Sequence, residues 1–453
     1  MRTRRIAVVG GGLAGLAAAV ECADAGATVT LYEARPRLGG ATFSLQRNGY
    51  WLDNGQHVAL RCCTAYRGFL RRLGVAGLLE VQPRLRIPVL SESGARATID
   101  RTGLPAPFHL TATLLRYRHL SLRDRLAASR AAIGLRRLDP EDPALDRQTF
   151  GSWLRENGQS ERAITVLWNL IALPTLNLDA DDASLALAAK VFRTGLLDES
   201  DACDMAIPTV PLQQLHADAA AAVLAERGAE IRVGTAVRTV ERTDGGLSVH
   251  LRGSVEQADA VVVAVPHHTV DRLLPRGVLD PAVAGGLGTS PIVNLHLQYD
   301  RPVLDEPFAA VGDSPVQWLF DRTASSGVEQ GQLVSISISG ADRELEESQA
   351  ELRERYVAAL GRLLPAVRQA VLLDVVVTRE PRATFRGVPG TQALRPGPRT
   401  SVPGLYLAGA WTDTGWPATM EGAVRSGMAA AQAALAETAA RLPETGPPAR
   451  RPA

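Results

Sequence analysis

Ile6-Ala7-Val8-Val9-Gly10-Gly11-Gly12-Leu13-Ala14-Gly15-Leu16 is the stretch on which the fold turns. A short β-branched run, Ile6 to Val9, enters three glycines, and Leu13 to Ala25 follows as an Ala/Leu-rich helix stopped by Gly26. Thr28 to Tyr32 reads as a second strand closed by Glu33. Strand, glycine turn, helix and strand within about 30 residues make a β-α-β unit. In Gly10-x-Gly12-x-x-Gly15 the first glycine permits the tight turn and the second lets the backbone approach a pyrophosphate. The third lets the helix pack closely on the strand. The helix N-terminus then offers free N–H groups and its positive end to the phosphates. Glu33, 18 residues after Gly15, stands where ribose hydroxyls need an acceptor. Its charge disfavours a 2′-phosphate, so an adenine dinucleotide other than NADP is expected.

The rest of the composition narrows the class. A chain of 453 residues with 46% hydrophobic and 21% charged residues is globular, with about two or three domains. Lys+Arg 49 against Asp+Glu 48 leaves net charge +1, a poor electrostatic footing for nucleic acid. Lys190 is the only lysine, which excludes a GKS/T phosphate loop. It falls in a helical stretch, Ala183 to Phe192, outside the dinucleotide motif, and reads as a solvated helix residue. Cys22, Cys62, Cys63 and Cys203 form no C-x-x-C pair, so a reducing compartment and no structural metal are expected. Met1 to Val20 imitates a secretory signal, but the glycine pattern makes a cofactor loop the better reading. No apolar run reaches the roughly 18 residues a membrane span needs.

Along the chain, Val81 to Ile99 reads as hairpin strands. Pro107 to Leu197 reads as mostly helical, with breaks at Asp139-Pro140, Gly158 and Pro174. A helix is expected from Pro211 to about Arg227. Strands are expected at Glu230 to Val240, Leu247 to Arg252 and Ala260 to Val265, the last an Ala/Val run covered on both faces. Residues 291–299 and 332–338 alternate like antiparallel strands, and Ala341 to Leu364 reads as one amphipathic helix. Leu405 to Ala408 and Gly422 to Ala440 close the pattern as a strand and a helix. Leu442 to Ala453 is Pro- and Arg-rich and expected to be disordered; its Leu442-Pro443-Glu444-Thr445-Gly446, which matches a cell-wall sorting pentapeptide, is read as coincidence.

Glu33-Ala34-Arg35-Pro36-Arg37-Leu38-Gly39-Gly40 resembles a signature of the FAD-dependent amine oxidase and phytoene desaturase superfamily. Leu405 to Gly409 followed by Met420-Glu421-Gly422-Ala423-Val424 resembles its second flavin motif, where a helix N-terminus faces the flavin. Asp53-Asn54-Gly55-Gln56-His57 and the block Trp411 to Gly427 narrow this to a resemblance to the hydroxysqualene dehydroxylase family, over about residues 5–435. Ile207 to Leu215 resembles the segment where the chain re-enters the FAD domain. The resemblance implies FAD as cofactor, held by Gly10, Gly12, Gly15, Glu33, Ala34, Arg35, Gly39, Gly40, Gly55, Val237, Gly409, Ala410, Thr419 and Met420. His57 and Asp53 are the catalytic candidates. His57 either protonates a departing hydroxide or fixes its loop, and Asp53 either assists or caps that loop. Trp411 and Trp416 either wall the site or simply pack. Three positions depart from the pattern: Ala41 where an arginine is common, Arg61 where a glycine is usual, and Ala410 where an aspartate is usual. Asp413 stands close enough in sequence to replace that last carboxylate.

The expected fold is α/β: a discontinuous Rossmann-like FAD-binding domain from residues 1–75, 205–265 and 395–440, with a substrate domain of antiparallel sheet and helices from 76–204 and 266–394. The resemblance implies reduction of hydroxysqualene to squalene in hopanoid or related triterpene synthesis. It also implies an external electron donor and functional coupling to squalene and hydroxysqualene synthases. A cytoplasmic protein touching the inner membrane face peripherally is expected. The alternatives are a carotenoid (phytoene-type) desaturase or another amine-oxidase-like enzyme and, from a different class, a flavin-free prenyl-lipid carrier on the same fold.

Overall fold

The computed structural model describes residues 3–440. At its centre is a five-stranded parallel sheet in the order Glu230–Arg232, Thr28–Tyr32, Arg5–Val9, Ala260–Val263, Leu405–Leu407. Residues alternate across it. Ile6 and Val8 face the helices Leu13–Asp24, Ala219–Glu226 and Met420–Ala440, while Ala7 and Val9 face a three-stranded antiparallel sheet of residues 239–258. Both faces are therefore covered, which explains the unbroken apolar run of Ala260–Val263. Gly427 lets the final helix cross the first one: a Cβ there would run into the Ala14 carbonyl.

A second sheet has seven strands, in the order 372–384, 290–299, 332–339, 318–321, 308–311, 86–90, 96–100. All pairs are antiparallel except 308–311 with 86–90. Val293, Leu295, Val334 and Ile336 pack one face onto the helix Gln349–Leu363. The alternate residues Asn294, His296 and Ser335 project to the other face, which meets the 53–57 loop. The first β-α-β unit and the hairpin within 81–99 lie where the sequence predicts them, and 290–299 pairs directly with 332–339.

Four segments differ from expectation. Glu230–Val240 is not one strand. Residues 230–232 join the parallel sheet, Gly234 turns the chain at φ +66, and Thr239–Thr243 joins the three-stranded sheet. The polar strand Val255–Ala258 carries no hydrophobic signal. Ala341–Leu364 breaks after Glu346, because Ser348 forms a capping box with Glu351 and restarts the helix. Pro174 sits inside the helix Asn169–Leu176, which ends instead at Asn177 in the left-handed region. The tail from Leu442 and its pentapeptide lie outside the described residues.

Candidate active site

Parallel strands present all their C-terminal ends at one edge, and the glycine motif lies there, where strand order reverses between Arg5–Val9 and Ala260–Val263. Gly10 adopts φ +109, and a Cβ on it would strike the Ala264 carbonyl. Gly15 sits so close under the turn that a Cβ would strike the Gly10 carbonyl. Gly12 caps the first helix without a side-chain hydrogen bond. Gly39 donates its N–H to the Gly11 carbonyl at 2.9 Å, and a Cβ on Gly40 would stand 2.7 Å from Gly12 Cα. Two glycine runs thus meet in front of an uncapped helix N-terminus, a passage that any side chain would fill. This fits a dinucleotide pyrophosphate held by backbone N–H groups.

Glu33 is half-buried at the end of its strand. Its Oε2 accepts from Gly11 N at 2.6 Å and its Oε1 from Arg35 N at 2.8 Å, which fixes the carboxylate and leaves lone pairs for ribose hydroxyls. Gly234 N and Thr235 N donate to the carbonyls of Arg35 and Glu33, so the segment leading to half-buried Val237 runs beside this end of the site. Ala34 and Arg35 are exposed. Arg37 stacks on Phe43 and donates to the Gly40 carbonyl at 3.4 Å, next to the position where Ala41 lacks a guanidinium. Glu33→Ala is expected to weaken FAD binding about 10- to 150-fold, the loss of a charge-assisted hydrogen bond, in a flavin fluorescence titration. Unchanged affinity would show that Glu33 serves the loop alone.

The carboxyl-terminal motif closes the same edge. Gly409, at φ +140, donates its N–H to Ser426 Oγ, and half-buried Ala410 follows. Thr419 Oγ1 accepts from Gly422 N and caps the final helix, which begins at Met420. Trp411 is buried, its Nε1 donating to the Val265 carbonyl at 2.9 Å, so it anchors the loop just past the end of Ala260–Val263. Trp416 lies between two cations, Lys190 Nζ at 5.9 Å and the Arg425 guanidinium at 5.2 Å from its ring centroid. Lys190 is therefore half-buried against the second flavin motif, not a solvated residue remote from it. Asp413 is exposed, and its Oδ1 accepts from Gly415 N at 3.2 Å.

Sequence reasoning missed the side chains that hold these loops. Arg395, buried, donates to the carbonyls of Trp411, Thr412 and Trp416 and stacks on Phe385; burial pulls it down to about 10, so it stays charged at neutrality. Glu421 accepts from Ala65 N and Tyr66 N, capping the helix Thr64–Arg72 from across the fold. Neither belongs to a recognisable pattern: Glu421 acts on backbone about 355 residues away, and Arg395 on carbonyls 16 to 21 residues on.

Asp53 is at the end of Tyr50–Asp53 and almost wholly buried. Its Oδ1 accepts from Ser44 Oγ at 2.6 Å and Leu212 N at 3.0 Å, and its Oδ2 pairs with Arg322 at 2.8 Å. Arg322 also reaches the Pro208 carbonyl. The carboxylate thus ties three segments together.

Gly55 is buried, and His57 lies over it, partly exposed and surrounded by protein. Burial pulls the His57 ring down to about 4; Asp53 opposes this and Arg322 adds to it. The imidazole is thus neutral near pH 7, unlike the readily charged histidine the sequence suggests. Asn294 donates to the Asn54 carbonyl at 3.1 Å and Thr378 to the same atom at 3.0 Å, which seats the loop on the second sheet. His216 and His296 are buried beside it, bonded to Tyr66 and Ser335 and pulled down to about 3 and about 4, burial being the main cause.

Comparison with known proteins fits this geometry. The family model described as "Flavin containing amine oxidoreductase" matches residues 13–435. A hydroxysqualene dehydroxylase of Sinorhizobium fredii is 31% identical over 445 residues, covering 96% of this chain and 99% of that one. A probable zeta-carotene desaturase of Synechococcus elongatus is 26% identical, covering 95% and 98%. Among solved structures, an oxidoreductase from Methanosarcina mazei superposes with TM-score 0.72 at 18% identity, covering 94% and 99%, a likeness of fold. The protein is an FAD-dependent oxidoreductase.

Proposed function

We propose that this chain, which belongs to the flavin-containing amine oxidoreductase family and within it to the hydroxysqualene dehydroxylase family, reduces hydroxysqualene, an allylic alcohol, to squalene for hopanoid or related triterpene synthesis. The observation that carries the reading is the higher identity to the Sinorhizobium fredii enzyme, 31% against 26% for the zeta-carotene desaturase, both over nearly the whole chain. The same kinship weighs against a flavin-free carrier.

The reaction replaces a C–OH bond by a C–H bond and releases water, so it needs a proton at the leaving oxygen and a hydride at carbon. FAD, once reduced by an external electron donor, supplies the hydride. The two glycine runs and Glu33 hold the dinucleotide end, and the loop clamped by Arg395 orients the other end. Phe150, Trp168 and Phe192, mutually packed within 6 Å, are buried in the core of the helical region. His57 hydrogen-bonds the leaving oxygen from its neutral ring, and the proton that completes the departing water comes from solvent, so the ring keeps its own. Asp53 holds the strand end that leads into the His57 loop.

The sign of the pH effect separates this from proton donation by a charged ring. With a ring that titrates near 4, a required imidazolium would make kcat/KM fall about tenfold per pH unit above that value. A neutral donor leaves the profile flat from about pH 5 to 8, which is the expected result, with His57→Ala lowering kcat at every pH. The second reading, a carotenoid-type desaturase, is favoured by the Synechococcus relative. New conjugated double bonds in phytoene incubated with the oxidised protein would select it. A lipid substrate this apolar also implies peripheral contact with a membrane, and no helix among the described residues is long and apolar enough to cross one.

A further inference from the structure

The helix Leu122–Arg137 carries a feature that neither the core nor the cofactor site uses. Leu122, Leu126 and Ile133 are 72%, 59% and 46% exposed. At 3.6 residues per turn they fall on one narrow stripe. Arg123, Arg130 and Arg137, spaced by sevens, run beside that stripe. The opposite side of the helix, Ala128, Ala131 and Leu135, is buried in the main core with Phe192 and Leu196. Just upstream, Leu104, Phe108 and Leu115 are also more than half exposed. Arg125 fastens this upstream segment to the helix, donating to the carbonyls of Leu115 and Leu120 at 2.6 and 3.0 Å. Most of the large apolar side chains that the described residues expose are therefore gathered within residues 104–133.

Charge follows the same boundary. Residues 104–137 hold seven arginines and a single acid, Asp124, in a chain whose net charge is only +1. Arg116, Arg118, Arg123 and Arg130 are exposed and have no ion pair among the described residues. An apolar stripe flanked by unpaired arginines is the pattern of a helix that lies in a membrane interface: leucine enters the acyl boundary while guanidinium groups meet phosphate. A protein partner would need an acidic groove; a bilayer needs only anionic headgroups.

We propose that this face seats the protein on an anionic lipid bilayer. The buried side of the same helix packs near Leu185–Phe192, which carries Lys190 beside Trp416, so the docked face and the carboxyl-terminal flavin loop are two helices apart. The surface stands on its own residues and does not rest on the identity of the substrate.

The test is flotation of the FAD holoprotein with vesicles of phosphatidylcholine alone or with about one third phosphatidylglycerol, at low and high salt, without substrate. The expected result is at least about tenfold more protein floating with the anionic vesicles, and less at high salt. L122S/L126S/I133S and R123E/R130E should each cut that binding about tenfold, while L373S, at an exposed leucine elsewhere, leaves it unchanged. Flavin absorbance and circular dichroism confirm that each variant is folded. Three results would overturn the proposal: no flotation with either vesicle, flotation indifferent to the variants, or a dimer in sedimentation that L122S/L126S splits while vesicles capture nothing. Because no turnover is read, failure here leaves the reaction untouched, and an inactive enzyme that still floats leaves this surface standing.

Discussion

Asp53→Ala is expected to lower the unfolding free energy by about 3–5 kcal/mol, the cost of leaving a buried charge without its partner. The charge is Arg322, whose side chain is 7% exposed beside the 5% exposed Asp53. Burial already pulls Arg322 below its usual value, and Asp53 is the largest influence resisting that. The loss has two sources that variants can separate. Asp53→Asn keeps an oxygen for Ser44 and Leu212 and turns an NH2 donor toward Arg322, so it confines the loss to that pair. Asp53→Ala/Arg322→Met removes both charges and should recover a large part of the stability, because an apolar pair of similar volume is often as stable as a buried ion pair. Denaturant midpoints at fixed excess FAD give the cycle. If the single and double changes simply add, the pair is not what joins the segments around residues 44, 53, 208 and 322. A stable but inactive double variant would show that Asp53 also serves the chemistry.

The second large effect is acid lability. His216 and His296 are buried and held neutral, pulled from 6.5 to about 3 and about 4. In the unfolded chain they would titrate near 6.5. Below that value the unfolded state takes up protons that the folded state refuses, so their contribution is complete above about pH 6.5 and is lost as pH falls toward 4. Each contributes at most about 1.4 kcal/mol per pH unit across that window, so the pair removes on the order of 4 kcal/mol between pH 7 and 5. His57 adds in the same direction. Urea unfolding at a series of pH values reads this directly. His296→Gln, which keeps a partner for Ser335, should flatten part of the slope. A midpoint constant between pH 7 and 5 would contradict the buried neutral histidines.

What could be read in advance follows from which interactions are local. The glycine turn, Glu33 and the first three elements are specified by neighbours within about 30 residues, and the structure places them as predicted. The same is true of Gly409 and the final helix, whose cap lies beside its own start. Arg322 and Glu421 act across long sequence separations, and Arg395 clasps a loop 16 to 21 residues on with no motif to mark it, so all three look like ordinary charged residues until the fold brings their partners to them. Lys190 was misjudged for the same reason, its neighbour Trp416 lying in another part of the chain. His57 was found by motif, but its proton affinity depends on burial and on Arg322, neither of which its own loop encodes.

Reduction of hydroxysqualene to squalene is the reaction proposed for this protein. Anaerobic incubation of the reduced FAD holoprotein with hydroxysqualene, followed by mass spectrometry of the lipid extract, tests it most directly. Squalene is expected in proportion to reduced flavin consumed and, in D2O, which exchanges its deuterium onto the flavin N–H, with one deuterium at the carbon that lost the hydroxyl. Unchanged hydroxysqualene in the presence of fully bound, reduced FAD would contradict it.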